Sequence, residues 1–151
     1  MVTRHRPAPR RRGVSRKCRG DQRYAAGAAG LRVAPMGTGH NSQPFGDLSG
    51  TVLLRTSRMA GIEIDPAARR ARVQAGALWL PVVEKAAAHG LAALHGSSLD
   101  TSVVGYTTTG GGLGWYGRCH GLAASHVTAV ELVLADGTRV RADADHEPDL
   151  F

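Results

Sequence analysis

The sequence predicts one domain in which short β-strands are combined with helices, and three observations indicate it. The chain has 151 residues, a length typical of a single domain with a core of its own. Continuous or alternating apolar runs predict strands at residues 31 to 34, 51 to 54, 62 to 65 and 70 to 74. Apolar residues at helical spacing predict a helix over residues 78 to 89 that ends at Gly90.

Shorter patterns predict the remaining elements. Residues 24 to 30 are typical of the last turns of a helix stopped by glycine, and residues 91 to 94 predict a short strand. Residues 127 to 134 and 138 to 142 flank Ala135-Asp136-Gly137, a sequence that favours a β-hairpin. Residues 147 to 151 are typical of the start of a helix, so we expect the chain to be a piece of a longer protein.

The positive charge of the chain is concentrated at one end. The net charge is +7, and residues 1 to 23 hold nine of the 19 basic residues but only one acidic residue, so the remainder is close to neutral. This segment is rich in Arg, Pro and Gly and has no apolar periodicity, which predicts a disordered tail. A basic tail of this kind could bind nucleic acid, and that alternative stays open from the sequence.

Two glycine-containing loops are the candidate functional stretches. The first, residues 35 to 42 (PMGTGHNS), follows a predicted strand, and the second, residues 105 to 114, contains three consecutive glycines between β-branched and aromatic residues. Backbone without Cβ atoms can take positive φ and present amide groups to an anion. The first loop has no lysine after its glycines and no G-x-G-x-x-G, so it fits neither a Walker A loop nor the dinucleotide fingerprint. For the second loop, a flexible surface linker is the alternative.

Taken in order, several motifs from residue 24 to residue 151 resemble the FAD-linked oxidases, the PCMH-type flavoproteins that include the berberine bridge enzyme-like group. The motifs that carry the resemblance are G-T-G-H-N at residues 37 to 41, R-T-S-R-M at 55 to 59, A-R-V-Q-A-G-A-L-W at 71 to 79, G-S-S-L-D-T-S-V-V-G at 96 to 105, G-G-G-L-G-W at 110 to 115, H-G-L-A-A at 120 to 124 and V-E-L-V-L-A-D-G at 130 to 137.

The resemblance implies an α+β fold, a PCMH-type FAD-binding domain of two small α/β subdomains, over residues 24 to 151. Residues 1 to 23 would be the tail, the domain would be truncated at its C-terminus, and the substrate domain would be absent. The first loop would give backbone N–H groups to the FAD diphosphate, and the later loops would line the rest of the cofactor. The implied cofactor-binding residues are Met36, Gly37, Thr38, Gly39, His40, Asn41, Ser42, Ser97, Ser98, Asp100, Ser102, Gly105, Gly110, Gly111, Gly112, Leu113, Gly114, Val130 and Leu132.

His40 occupies the histidine position of the first motif, and in the family this histidine is commonly bonded to the flavin 8α-methyl group. The resemblance therefore implies covalent FAD through His40, and the alternative is a histidine that only forms hydrogen bonds in the loop. Family members with a second link carry a cysteine in the G-S-x motif, where this chain has Ser98, so no thioether to the flavin is expected.

The resemblance implies a flavin-dependent oxidoreductase that takes a hydride from an alcohol, amine or sugar-type substrate. The catalytic groups of such enzymes lie largely in the absent substrate domain, so no catalytic residue is assigned and the isolated chain is expected to be inactive. Its partner would be a small-molecule substrate. No histidine or cysteine spacing predicts a metal site, and no apolar run is long enough to span a membrane, so a cytoplasmic protein is expected. The remaining alternatives are a nucleic-acid-binding module and a fragment that does not fold stably.

Overall fold

A computed structural model of the chain describes residues 31 to 151 in full and, before them, the backbone of one strand at residues 11 to 14. The helix end predicted at residues 24 to 30 lies outside the described residues. The described part mixes strands and helices, as the sequence predicts, and in this part α+β is confirmed.

Three parallel strands form the first sheet. Strand β1 (Arg11–Val14), β2 (Arg32–Met36) and β3 (Thr51–Arg55) are arranged in the order β1-β3-β2. The first three residues of the central strand β3 are buried, as expected for a parallel strand with a neighbour on each side. The prediction of a disordered tail is wrong for residues 11 to 14, because an edge strand needs only backbone hydrogen bonds to β3 and no apolar pattern.

An antiparallel hairpin follows, as predicted. Strands β4 (Ile62–Asp65) and β5 (Arg70–Val73) pair from Ile62 opposite Val73 to Asp65 opposite Arg70. The Asp65 carboxylate accepts a hydrogen bond from the Ala68 N–H at 2.9 Å, which stabilises the turn. The side chains of Ile62 and Val73 contact the core cluster, so one face of the hairpin is attached to the helices.

The core is built on the predicted amphipathic helix, α1 (Trp79–Ala87). Its buried residues Trp79 and Val82 pack against Val103 of the next helix, and burial of each such side chain contributes about 1.5 to 3 kcal/mol. The strand predicted at residues 91 to 94 is wrong, because the backbone there pairs with no strand in the described part of the chain. The start of α1 is hydrogen-bonded instead to a later segment, with the Leu80 N–H donating to the Leu99 carbonyl at 2.8 Å.

The second predicted loop is only partly a loop. Residues Val103–Thr109 form helix α2, and Ser102 is its N-cap. Gly105 therefore lies inside a helix, and only residues 110 to 114 form a loop. Thr107, Thr108 and Thr109 each donate a hydroxyl hydrogen bond to a carbonyl one turn earlier, which accommodates the threonine run within the helix.

Short elements complete the described fold. Helix α3 (Gly117–His120) follows the glycine loop, and single 3-10 turns occur at Gln43–Phe45, Ala123–His126 and Pro148–Leu150. Strands β6 (Val130–Val133) and β7 (Arg139–Ala142) form the predicted hairpin. Both Glu131 carboxylate oxygens of β6 accept hydrogen bonds from Arg72 of β5 at 2.8 Å, so the two hairpins are linked.

Candidate functional site

The candidate site lies where β2 and β3 end side by side. Met36 is in register with Arg55 at the last pair of the two parallel strands, and the Thr56 N–H donates to the Met36 carbonyl at 3.1 Å. The chain leaves β2 into the loop of residues 37 to 42 and leaves β3 into the R-T-S-R-M segment. Ligands of parallel sheets bind at the carboxyl ends of the strands, so this edge is the place to look for a site.

The loop of residues 37 to 42 presents open backbone N–H groups. Gly39 and Asn41 have φ values of 81° and 53°, and the Ser42 N–H donates to the Gly39 carbonyl at 3.2 Å. Within residues 31 to 151, the N–H groups of Gly37, Thr38, Gly39 and Asn41 find no acceptor. Successive unpaired N–H groups at a left-handed turn form a concave site for an anion.

Gly37 brings the first loop against the N-terminus of helix α2. A Cβ atom at Gly37 would lie 2.9 Å from the Ser102 Cβ, so only glycine fits between the two segments. The buried Ser102 hydroxyl donates to the Ala75 carbonyl at 3.4 Å and accepts from the Gly105 N–H at 3.5 Å. Three of the residues predicted to bind the cofactor, Gly37, Ser102 and Gly105, are therefore brought together.

A cleft of about 370 Å³ opens beside this loop. It is lined by Gly37, Thr38, Arg55, Ser57, Ala60, Ile62, Gly76, Leu78 and Pro81. Gly37 and Thr38 are the sequence-predicted site residues among these, and the others were missed. The R-T-S-R-M and A-G-A-L-W motifs were recognised, but their spacing does not show that they face the same cleft. Pairing β2 with β3 in parallel would have shown that residues 36 and 55 share one edge.

Arg55 supplies the charge in this cleft. Among the described residues that line it, Arg55 is the only one with a formal charge. Its Nε atom is buried and has no hydrogen-bond partner within the described part of the chain. As the charged residue in the lining, Arg55 attracts anions to the cleft by its positive charge.

Gly76 lines the cleft and packs tightly against backbone. Its N–H donates to the Met59 carbonyl at 2.8 Å, and a Cβ atom there would lie 2.0 Å from the Thr56 carbonyl oxygen. The Thr56 hydroxyl in turn donates to the Ala75 carbonyl at 3.1 Å. The two motifs are thus packed backbone to backbone, which fixes the position of Arg55 at the cleft wall.

The glycine loop of residues 110 to 114 is packed on the protein on one side. The carbonyls of Gly111 and Gly112 accept hydrogen bonds from the Ala124 and Ala123 N–H groups, both at 3.0 Å. A Cβ at Gly114 would lie 2.1 Å from the His95 carbonyl oxygen, so close packing explains this glycine without a ligand. On the other side, in the described part of the chain, the N–H groups of residues 111 to 114 have no acceptor.

Side chains beside the glycine loop are unevenly buried. Leu113 and Trp115 are 72% and 74% exposed. The Tyr106 hydroxyl is buried below the loop without a hydrogen-bond partner among the described residues, and burial raises the pKa of Tyr106. The loop therefore combines exposed apolar side chains with a half-buried tyrosine packed against it.

The other predicted residues stand apart from the cleft. His40 is exposed, and so are Ser97, Ser98 and Asp100. Val130 and Leu132 are half-buried in β6. None of these residues, among those described, lines the cleft. Their proposed contacts with a cofactor remain a prediction.

The described residues contain no group of three or more His, Cys, Asp and Glu side chains placed to hold a metal ion. In the same part of the chain, no helix has the length and apolar character needed to cross a membrane.

Comparison with known proteins adds a family match. Residues 24 to 143 match the FAD binding domain family. The (R)-6-hydroxynicotine oxidase of Paenarthrobacter nicotinovorans is 33% identical over 122 residues, which cover 81% of this chain and 26% of that protein. The xylooligosaccharide oxidase of Thermothelomyces thermophilus is 32% identical over 129 residues, or 83% of this chain and 26% of that protein. The chain thus spans about a quarter of the length of these curated relatives.

A solved structure agrees with the sequence match. The glucooligosaccharide oxidase of Acremonium strictum, described with 6-S-cysteinyl, 8α-N1-histidyl FAD, superposes with a TM-score of 0.82 at 25% identity and covers 95% of this chain and 31% of that chain. The expected PCMH-type FAD-binding fold is confirmed by this likeness. The matches give no support to nucleic-acid binding by the basic tail.

Proposed function

The chain belongs to the FAD binding domain family, and on this basis we propose that residues 24 to 151 form the FAD-binding portion of a flavin-dependent oxidoreductase. The observation that carries the proposal is the loop of residues 37 to 42, which follows the carboxyl end of β2 and has several N–H groups without an acceptor among the described residues. The cofactor of the family presents a diphosphate, which such N–H groups can bind without a lysine.

The residues at this edge fit that group. The backbone at Gly37 has no side chain and could accommodate none, because Ser102 lies behind it. Gly39 and Asn41 have positive φ, a conformation that favours an anion-binding arrangement of successive N–H groups, and the described residues that line the adjacent cleft include no carboxylate. When bound, FAD supplies the redox chemistry by accepting a hydride equivalent from a substrate carbon. The chain's own part is to hold and orient the cofactor.

We propose that the substrate is a small molecule with an oxidisable alcohol, amine or sugar carbon. The relatives named for a hydroxynicotine and for oligosaccharides support this class. Because this chain spans about a quarter of those relatives, the groups that accept the substrate proton are not assigned to any residue here. We expect the 151-residue chain loaded with FAD to show no turnover with alcohols, amines or sugars. Steady flavin reduction by any of them would overturn that expectation.

His40 is the proposed attachment point for covalent FAD. It follows the open N–H groups directly and its side chain is exposed, so the imidazole is accessible to a bound flavin. In such a bond an imidazole nitrogen replaces one hydrogen of the 8α-methyl group, and two electrons and two protons leave to an oxidant such as O₂. Ser98 stands where a second, cysteinyl link would need a thiol, so a single link is expected.

The test is to express the full chain with excess FAD, remove free cofactor and denature the protein in acid. Yellow colour that stays with the precipitate supports FAD binding and the covalent bond, and His40→Ala should then release the colour. His89→Ala is the matched control, because His89 is exposed at the end of α1, away from the loop. If acid releases the colour from the unaltered chain, FAD binding would still be supported, but the covalent bond through His40 would be contradicted. A colourless protein would contradict the proposed function.

A further inference from the structure

Arg55 is a charged residue that the proposed function does not yet use. It is the last residue of β3 and lies beside Met36, the last residue of β2. The loop with the open N–H groups begins at the next residue, Gly37, and both Gly37 and Arg55 line the same cleft. The lining of the cleft therefore includes residues with open N–H groups and one guanidinium group.

Among the described residues, those that line the cleft with Arg55 carry no negative charge. The other residues that line the cleft are hydroxyl-bearing (Thr38, Ser57), glycine or apolar. No ion pair of Arg55 is formed with the described acidic residues, and its Nε atom is buried without an acceptor there. A guanidinium group binds phosphate oxygens through two parallel hydrogen bonds, a geometry that lysine cannot reproduce.

Part of the lining of the cleft is apolar. Ile62, Leu78 and Pro81 belong to this apolar wall, and the cleft volume is about 370 Å³. A ligand that contacts both Arg55 and the apolar wall carries an anionic group attached to a flat or apolar part. A nucleoside diphosphate has this composition, whereas a free inorganic anion would leave the apolar wall uncovered.

We propose that Arg55 is a phosphate-positioning residue, whose guanidinium binds the diphosphate of a nucleotide held in this cleft. This inference rests on the proposed function, because it takes that nucleotide to be the adenosine diphosphate half of FAD. The N–H groups of residues 37 to 39 hold the diphosphate, and Arg55 adds the only charged side chain among the described residues that line the cleft. Binding of the nucleotide is then selective for its phosphates and sensitive to salt.

The experiment compares ADP with adenosine on the full chain by titration calorimetry, and FAD by quenching of flavin fluorescence. Arg55→Gln is expected to lower the association constants for ADP and FAD about tenfold, as for the loss of one charge-assisted hydrogen bond, and to leave adenosine unchanged. Between about 0.05 M and about 0.5 M NaCl, ADP binding should weaken in the unaltered chain and weaken less in Arg55→Gln.

Two further variants separate charge from folding. Arg58→Gln removes an exposed arginine three positions along the same segment, outside the cleft, and should bind ADP as the unaltered chain does. Arg55→Lys keeps the positive charge but lacks the planar guanidinium that can form two parallel hydrogen bonds. Its affinity for ADP should therefore lie between those of Arg55→Gln and the unaltered chain. If Arg55→Gln does not fold, the ADP affinity of Arg55→Lys relative to that of the unaltered chain decides, and equal affinities would contradict the role of Arg55.

The outcomes distinguish this inference from the proposed function. A chain that binds FAD, with ADP affinity and salt dependence unchanged by Arg55→Gln, overturns the role of Arg55 and leaves the proposed function in place. Equal losses for ADP and adenosine also overturn it, since Arg55 would then only support the cleft. Salt-sensitive ADP binding through Arg55 without FAD binding would support the phosphate site and contradict the proposed function. Binding of neither ligand overturns both.

Discussion

Replacing Gly76 by alanine should destabilise the fold at the lining of the cleft more than substitution of an exposed residue would. The new Cβ would lie 2.0 Å from the Thr56 carbonyl oxygen, 2.7 Å from its carbon and 2.9 Å from the Met59 carbonyl oxygen. All three atoms belong to backbone, so no side chain can turn aside to make room. The Thr56 carbonyl also accepts the Met59 N–H at 2.8 Å, and any shift of this carbonyl weakens that turn.

The size of the effect follows from the displacement needed. An ordinary contact begins at 3.4 Å, so the Thr56 backbone would have to move by roughly 1.4 Å, at the upper end of what a packed interior absorbs. We expect the free energy of unfolding to fall by about 3 kcal/mol. For a domain of this size, that corresponds to a melting temperature lower by about 10 °C.

The assay is thermal and urea unfolding of the full chain without FAD, followed by near-ultraviolet circular dichroism. Gly110→Ala is the matched control, because Gly110 has a φ of −131° and no atom within 4 Å of the position its Cβ would take. Its free energy of unfolding should change by no more than about 0.5 kcal/mol. If Gly76→Ala were as stable as Gly110→Ala, the backbone contact between the two motifs would not exist as described.

Three further predictions concern stability away from the cleft. Tyr106→Phe should leave the free energy of unfolding within about 0.5 kcal/mol of the original or raise it, because the buried hydroxyl has no described partner; urea unfolding showing a loss above about 1 kcal/mol would contradict this. In a double-mutant cycle, Arg72 and Glu131 should couple by about 0.5 kcal/mol, because both side chains are largely exposed, and a coupling near zero would mean that the bridge does not form in solution. A hydrogen bond from His146 lowers the pKa of the Asp143 carboxyl, so Asp143 stabilises the fold above the ordinary value of 3.8 and this contribution is lost as pH falls below it. In Asp143→Asn, the free energy of unfolding should fall less steeply as the pH drops below 3.8. An unchanged pH dependence would show that the Asp143–His146 pair does not contribute to stability.

The sequence predicts elements with strong local patterns well. The hairpins at residues 62 to 73 and 130 to 142 form as the alternation and the Asp-Gly turn predict, and α1 forms where Leu78 to Gly90 predict a helix. These patterns succeed because the residues that decide the structure are neighbours in the chain. The amphipathic helix also carries its own stop signal in Gly90, which has a φ of 68°.

The errors arise where distant residues decide. Residues 91 to 94 have strand composition, but among the described residues no strand pairs with them, and the segment that follows is hydrogen-bonded to the start of α1. Gly105 looks like part of a glycine loop, but the Ser102 cap starts a helix before it. Residues 11 to 14 pair with β3 through backbone groups, and such pairing cannot be predicted from the amino-acid composition of the segment.

In the candidate site too, local motifs predict one part, and contacts between distant residues decide the other. Its loop could be recognised from the G-T-G-H-N motif, whereas Arg55 could not, since only the parallel pairing of β2 and β3 brings it to the loop.

The contact between Gly37 and Ser102 also constrains the order in which the molecule assembles. The two residues are roughly 65 positions apart in the chain, so the loop is completed by a long-range contact of the kind that slows folding. During synthesis, the loop would leave the ribosome well before the serine that supports it. Acquisition of nucleotide-binding ability should therefore be a late event in refolding, later than formation of α1 and the first hairpin, and binding of a fluorescent nucleotide during stopped-flow refolding would report when the two distant segments meet.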